Sequence, residues 1–192
     1  MGSEMCIRDR NYTVELAVDG DTLVSSFEVL MDPRAECTRE DRTAQFEFLK
    51  SIRDKVDETH DAIRHMRSVK SQSSALLGRL DEDDYPAIFE EARALDSLMT
   101  AVEEVLYQTK LKSNQDMLNF PIKLNNKLAH IGSLASMGVY APTEQMVGVR
   151  DEVTALINAE LAKWHALRDE RLPAFNALIR ESAIDLIGVP ED

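Results

Sequence analysis

Between Asn11 and Arg34 apolar and polar residues alternate with a period of two, and from Thr38 onward the period lengthens to that of a helix. The first segment reads "NYTVELAVDGDTLVSSFEVLMDPR" and is centred on Asp19-Gly20, a dipeptide suited to the two positive φ angles of a type I′ hairpin turn. Pairing Val18 with Asp21 sets Leu16 opposite Leu23, Val14 opposite Ser25 and Tyr12 opposite Phe27. One face is then apolar and runs on to Val29 and Met31, while the other carries Thr13, Glu15, Thr22, Ser26 and Glu28 and belongs in water. Two strands alone are marginal in water, so the apolar face needs a cover: the helices that follow, or the remainder of a β-sandwich. Asp32-Pro33 ends the strand, because proline holds its predecessor extended and cannot donate to a ladder. The boundary between a hairpin at 11–34 and a helical region at 35–192 falls there.

Four helical stretches follow, at about 39–79, 84–109, 121–137 and 144–182. Thr38 with Asp41 forms a capping pair for the first, and Leu49, Ile52, Val56, Ile63, Met66, Leu77 and Leu80 lie on its seam. Thr59, Lys70 and Ser73 interrupt that seam. Ile88, Ala92, Leu95, Met99, Val102 and Leu106 step by three and four along the second helix, which Pro86 opens in its first turn. Pro121 starts the third, whose stripe is Leu124, Leu128, Ile131 and Ala135, with Gly138 at its end. Thr143 is an N-cap for the fourth, with Met146, Val149, Val153, Leu156, Leu161, Trp164 and Leu167 on one face. Pro173 kinks or restarts it before Phe175 and Leu178 carry the stripe on. The first helix spans about 60 Å at 1.5 Å per residue, the last is as long, and the two middle ones together match them. The sequence therefore predicts a mostly α, α+β chain: a hairpin, then three long antiparallel arms with the middle arm broken near Lys110 to Pro121.

Composition narrows the function classes. The 192 residues are 44% hydrophobic and 30% charged, as in a soluble globular chain, and the formal charge of −13 disfavours the clustered Lys and Arg face that nucleic acid requires. No run of about 18 apolar residues is present, so membrane insertion is not expected. Cys6 and Cys37 give neither a metal spacing nor a disulfide framework.

Candidate chemistry is sparse. His60 and His65 are five apart, and a helical metal pair sits four apart. His130 and His165 could meet only across helices, and neither lies in a Glu-x-x-His pattern. "DEDD" at Asp81 to Asp84 lacks the glycine and the spaced ligands of an EF-hand and reads as a solvated turn ahead of a helix. With 35 acidic residues, chance carboxylate pairs abound and none marks a glycosidase centre. No catalytic, metal or cofactor-binding residue is assigned. The most individual stretch is "FPIKLNNKLAH", where Lys123, Asn125, Asn126, Lys127 and His130 form a candidate structural or binding patch. An amide beside an apolar seam can fix register or bond a neighbouring loop.

The segments "NYTVELAVDGDTLVSSFEVLMDPR", "MLNFPIKLNNKLAHI", "APTEQ" and "LPAFNALIRE" together resemble the C-terminal region of large bacterial sortilin-like or BNR-repeat, glycosyl-hydrolase-type β-propeller proteins. The resemblance covers nearly everything after Arg10, and its motifs are packing and turn motifs. It implies that the hairpin is the last piece of a β-sandwich, that a propeller lies upstream in a secreted or periplasmic parent, and that any hydrolase activity resides there. "SEMCIRDR" is similar to strings at the ends of proteins translated from short-read metagenomic assemblies, where adapter bases are read as codons, so residues 1–10 and Cys6 are expected to be a non-native or disordered leader. The expected role is that of a non-catalytic accessory region partnered by the upstream sandwich and propeller. The alternatives are an interaction or self-association module and a small enzyme with a metal site in the bundle.

Overall fold

The computed structural model describes residues 11–30, 34 and 36–184. An antiparallel hairpin of β1 (Asn11–Val18) and β2 (Asp21–Glu28) precedes a mostly helical body of α1 (Arg39–Leu77), α2 (Pro86–Leu106), α3 (Leu124–Ala135), α4 (Glu144–Ala166) and α5 (Leu172–Glu181). Asp19 and Gly20 take φ of 51° and 94°, the two left-handed positions of the turn, and the register pairs Val18 with Asp21 and Tyr12 with Phe27. Tyr12 and Phe27 stack with ring centroids 5.7 Å apart. The alternation therefore fixes both the turn and the ladder, with Ala17 and Val24 added to the polar face. Val29 is half-buried and lies beyond the ladder. Met31 and the Asp32-Pro33 step fall outside the described residues.

α1 starts because Thr38 and Asp41 satisfy each other's backbone. The Thr38 hydroxyl accepts from the Asp41 amide at 3.1 Å, and the Asp41 carboxylate accepts from the Thr38 amide at 3.0 Å and from its hydroxyl at 2.7 Å. The helix ends at Gly78, whose amide returns to the Ser74 carbonyl at 3.0 Å, so Leu80 packs on the core from outside the helix. α2 and α3 run end to end, antiparallel to α1, as the cross-helix bonds show. Lys70 bonds Thr100, Arg67 bonds Glu103, His60 meets Asn125, and Gln45 donates to the carbonyls of Ala135 and Gly138. α4 runs parallel to α1, with Arg150 on Ser51 and Lys55 on Asn158. The body is the expected three-arm bundle with a broken middle arm.

Met66, Leu106, Leu128 and Ile157 are fully buried, and each such side chain contributes about 1.5–3 kcal/mol of burial free energy. The start of α3 and the buried stripe of α4 differ from expectation. α3 begins at Leu124 rather than Pro121, because the Pro121 carbonyl is held by the Gln108 side chain at 2.8 Å and Lys123 is extended. On α4 the inward stripe is Val153, Ile157, Leu161 and Trp164, and the expected Val149 and Leu156 face solvent. Near Pro173 the arm passes through a single π turn at Leu167–Arg171 and restarts as α5, with Pro173 in the first turn, where a proline is tolerated.

The helices do not cover the hairpin. Val14, Leu16 and Leu23 are 52%, 54% and 69% exposed, and both faces of the ladder are open.

The two capping carboxylates give the fold an acid limit. Donation from the Thr38 amide, then from its hydroxyl, holds the Asp41 carboxyl below the ordinary aspartate range, and the Lys112 and Ser113 amides do the same for Asp116. A depressed folded pKa means that the stabilisation is present above the unfolded pKa and is lost as pH falls through the folded one. The Thr38 amide is therefore expected to lose exchange protection only below about pH 4, and Asp41→Asn should abolish that transition. A Thr38 amide shift titrating at or above that pH, read by NMR, would contradict the capping geometry.

Candidate functional site

The break in the middle arm gathers the polar groups that the bundle buries. α1 supplies His60, Arg67 and Lys70 on one face at steps of seven and three, and they meet the last turn of α2 and the first of α3. Glu103, 5% exposed, accepts from Arg67 Nε at 2.7 Å, with Lys70 Nζ at 3.5 Å. Lys70 also donates to the Thr100 hydroxyl at 2.6 Å. The Arg67 guanidinium lies 5.3 Å from the Tyr107 ring centroid, and Tyr107 stands edge-on to His60 at 6.2 Å. His60 Nε2 is 3.2 Å from Asn125 Nδ2, within hydrogen-bond reach.

Chemically, this row is a brace. Two cations neutralise one buried carboxylate, and half-exposed Arg67 keeps part of its hydration. Gln108 closes the break from the loop side, donating to the Pro121 carbonyl and accepting from the Lys110 amide at 3.2 Å. The exception is Asn125, 5% exposed, whose Oδ1 is buried without a hydrogen bond. An unmade bond of this kind costs about 1–3 kcal/mol.

The residues of "FPIKLNNKLAH" separate. Asn125 points inward to His60, across 65 positions of sequence rather than to a neighbouring loop. Lys123 and Asn126 are half-buried, and Lys127 and His130 are exposed on the outer side of α3. His65 is exposed and His165 half-buried, and among the described residues no three His, Cys, Asp or Glu side chains converge as a metal set would. Cys37 is half-buried with a free thiol. In the acidic turn, Asp81 accepts from the Asp83 amide at 2.9 Å, and Glu82 takes both guanidinium nitrogens of Arg93 at 2.7 and 2.6 Å. Neither caps α2, whose N-cap is Tyr85.

Sequence reasoning missed one surface. An open groove of about 360 Å³ lies where α1, α2 and α5 meet, floored by Leu95, Met99 and Phe175 and edged by Lys70, Ser73 and Asp96. Its signal was present in the α1 seam, where Lys70 and Ser73 replace apolar residues and leave the space unfilled. The hairpin face, for which the sequence left the helices or an outside layer as cover, is not covered by the described helices. No helix of the described residues is long and apolar enough to cross a membrane.

Asn125→Leu removes the orphaned acceptor and leaves half-exposed His60 free to bond water. Stability is expected to hold or rise by up to about 1 kcal/mol in urea unfolding, and a loss above about 2 kcal/mol would show that Asn125 is a required polar partner. Set against known protein families, characterised proteins and solved structures, the chain matches none of them.

Proposed function

We propose that this chain is a non-catalytic accessory region of a larger protein, joined through its hairpin to β-structure outside the bundle. The observation that carries the reading is a hairpin formed in full register whose apolar side chains Val14, Leu16, Leu23 and Phe27 are covered by none of the described helices. Such a ladder is marginal by itself, and a second β-layer over Leu16, Leu23 and Phe27 supplies what it lacks. We further assign the parent to the glycosyl-hydrolase-like β-propeller proteins that the hairpin and helix segments resemble, with the missing layer in an upstream sandwich. Hydrolysis, in a secreted or periplasmic parent, then belongs outside this chain. The buried polar groups support this division, since they brace helices against one another.

Amide exchange on residues 11–182, compared with the same chain begun at Arg34, tests the reading. Removing the hairpin should leave helix protection unchanged, and the hairpin amides should exchange freely. Protected hairpin amides, with helices that loosen when it is deleted, would make the chain a self-contained domain and remove the need for an outside layer.

Self-association through the bundle is the second reading. Leu98 and Val105 on α2, and Val149 and Leu156 on α4, are exposed pairs, each seven residues apart and so on one helix face. Sedimentation equilibrium should then give a dimer that Leu156→Glu and Leu98→Glu convert to monomer. A wild-type monomer at high micromolar concentration would end this reading.

A further inference from the structure

We infer that this chain pairs with a second copy of itself through the outer face of α4, in an antiparallel two-fold arrangement that sets Leu156 of each copy against Ala159 of the other. The inference rests on the self-association reading above and deepens it by fixing the seam and its register. α4 carries two stripes. One is the buried set Val153, Ile157, Leu161 and Trp164. The other is Val149, Glu152, Leu156, Ala159, Lys163 and Ala166, which step by three and four along the helix and are all exposed. That spacing is the heptad pattern of a helix–helix seam, and none of the described helices covers it.

Bonds made by neighbouring positions show where the seam points. Arg150 and Asn158 bond Ser51 and Lys55 of α1, and Leu156 stands about 160° around the helix from Asn158. The seam therefore lies on the side of α4 remote from α1. Beside it, Arg171 bonds Glu91 of α2 at 2.7 Å, and the stripe through Glu91 runs on at steps of seven to the exposed Leu98 and Val105. These side chains edge the seam on its α2 side, so the open face is two helices wide. The spacing stops at Ala166 because the π turn at Leu167–Arg171 rotates the residues after it out of line. The face is about 26 Å long and about 20 Å across at two helix spacings. Over both copies that is roughly 1,000 Å², the lower end for a specific interface.

Register selects a second copy as the occupant. With Leu156 against Ala159 in an antiparallel pair, Val149 faces Ala166 and Glu152 faces Lys163, at both ends of the seam. Every apolar position then meets an apolar one, and each charge meets its opposite. Sliding the copies by one heptad sets Glu152 on Leu156 in one direction and Lys163 on Ala159 in the other, which desolvates a charge without a partner. A parallel pair sets Glu152 on Glu152 and Lys163 on Lys163. In the single chain Lys163 is 61% exposed and bonds Glu160 at 2.7 Å, and its ammonium keeps further donors for a second carboxylate. The chain's charge of −13 opposes association at long range and is screened beyond about 8 Å at physiological salt.

Sedimentation equilibrium of the full chain, reduced and at physiological salt, tests the pairing. Wild type should dimerise with a micromolar Kd. Glu152→Lys and Lys163→Glu each turn two attractions into repulsions and should weaken the dimer at least about tenfold. An equal mixture of the two variants should restore it, because opposite charges then face each other again at both ends. Circular dichroism checks folding. If Lys163→Glu unfolds beside Glu160, then Glu152→Gln, Lys163→Gln and the double variant replace the reversals, and the two effects should not add. Unchanged affinity in both single variants overturns the seam and leaves self-association through another face standing. Weakening that the mixture does not relieve, or that adds in the double variant, overturns the two-fold register. A wild-type monomer at high micromolar concentration ends both the inference and the reading beneath it.

Discussion

A helix of 39 residues with one apolar face must be covered along its whole length, and the bundle is organised around that demand on α1. One neighbour, the α4–α5 arm, meets the demand by continuing through a π turn. The other is split into α2 and α3, and the split is where water could reach the seam. Arg67 and Glu103 on one side of it, and His60 and Asn125 on the other, hold the two short helices in line against α1. Polar groups are thus concentrated where the apolar cover is discontinuous.

Much of this was legible in order along the chain. Asp19-Gly20 and strict alternation dictated the ladder, Thr38 with Asp41 set the start of α1, and all six stripe positions of α2 are buried. Local signals failed where two local answers were equally good. Leu156 and Ile157 are adjacent and both apolar, so only contact with α1 and α2 decides which turns inward. Pro121 suits a first helical turn, and the distant Gln108 side chain keeps it outside one. The candidate patch was half legible for the same reason. Asn125 could be singled out as an amide on an apolar stripe, while its partner His60 is remote in sequence, and Glu103 is one acid among 35.

The hairpin obeys a different rule from the helices. Its local order comes from turn chemistry and cross-strand pairs, which act within 18 residues. Its apolar face, by contrast, is left open by the described helices.

Because the hairpin rests on no helix, the two parts of the chain answer to separate selective pressures. A substitution at Leu128 or Ile157 is felt by every copy through folding, and so through abundance in the cell. A substitution at exposed Leu16 or Leu23 removes little buried surface and should leave abundance nearly untouched. In related sequences, constraint on the bundle core should therefore track the fold, while the hairpin face should be free to drift wherever nothing outside the bundle lies against it.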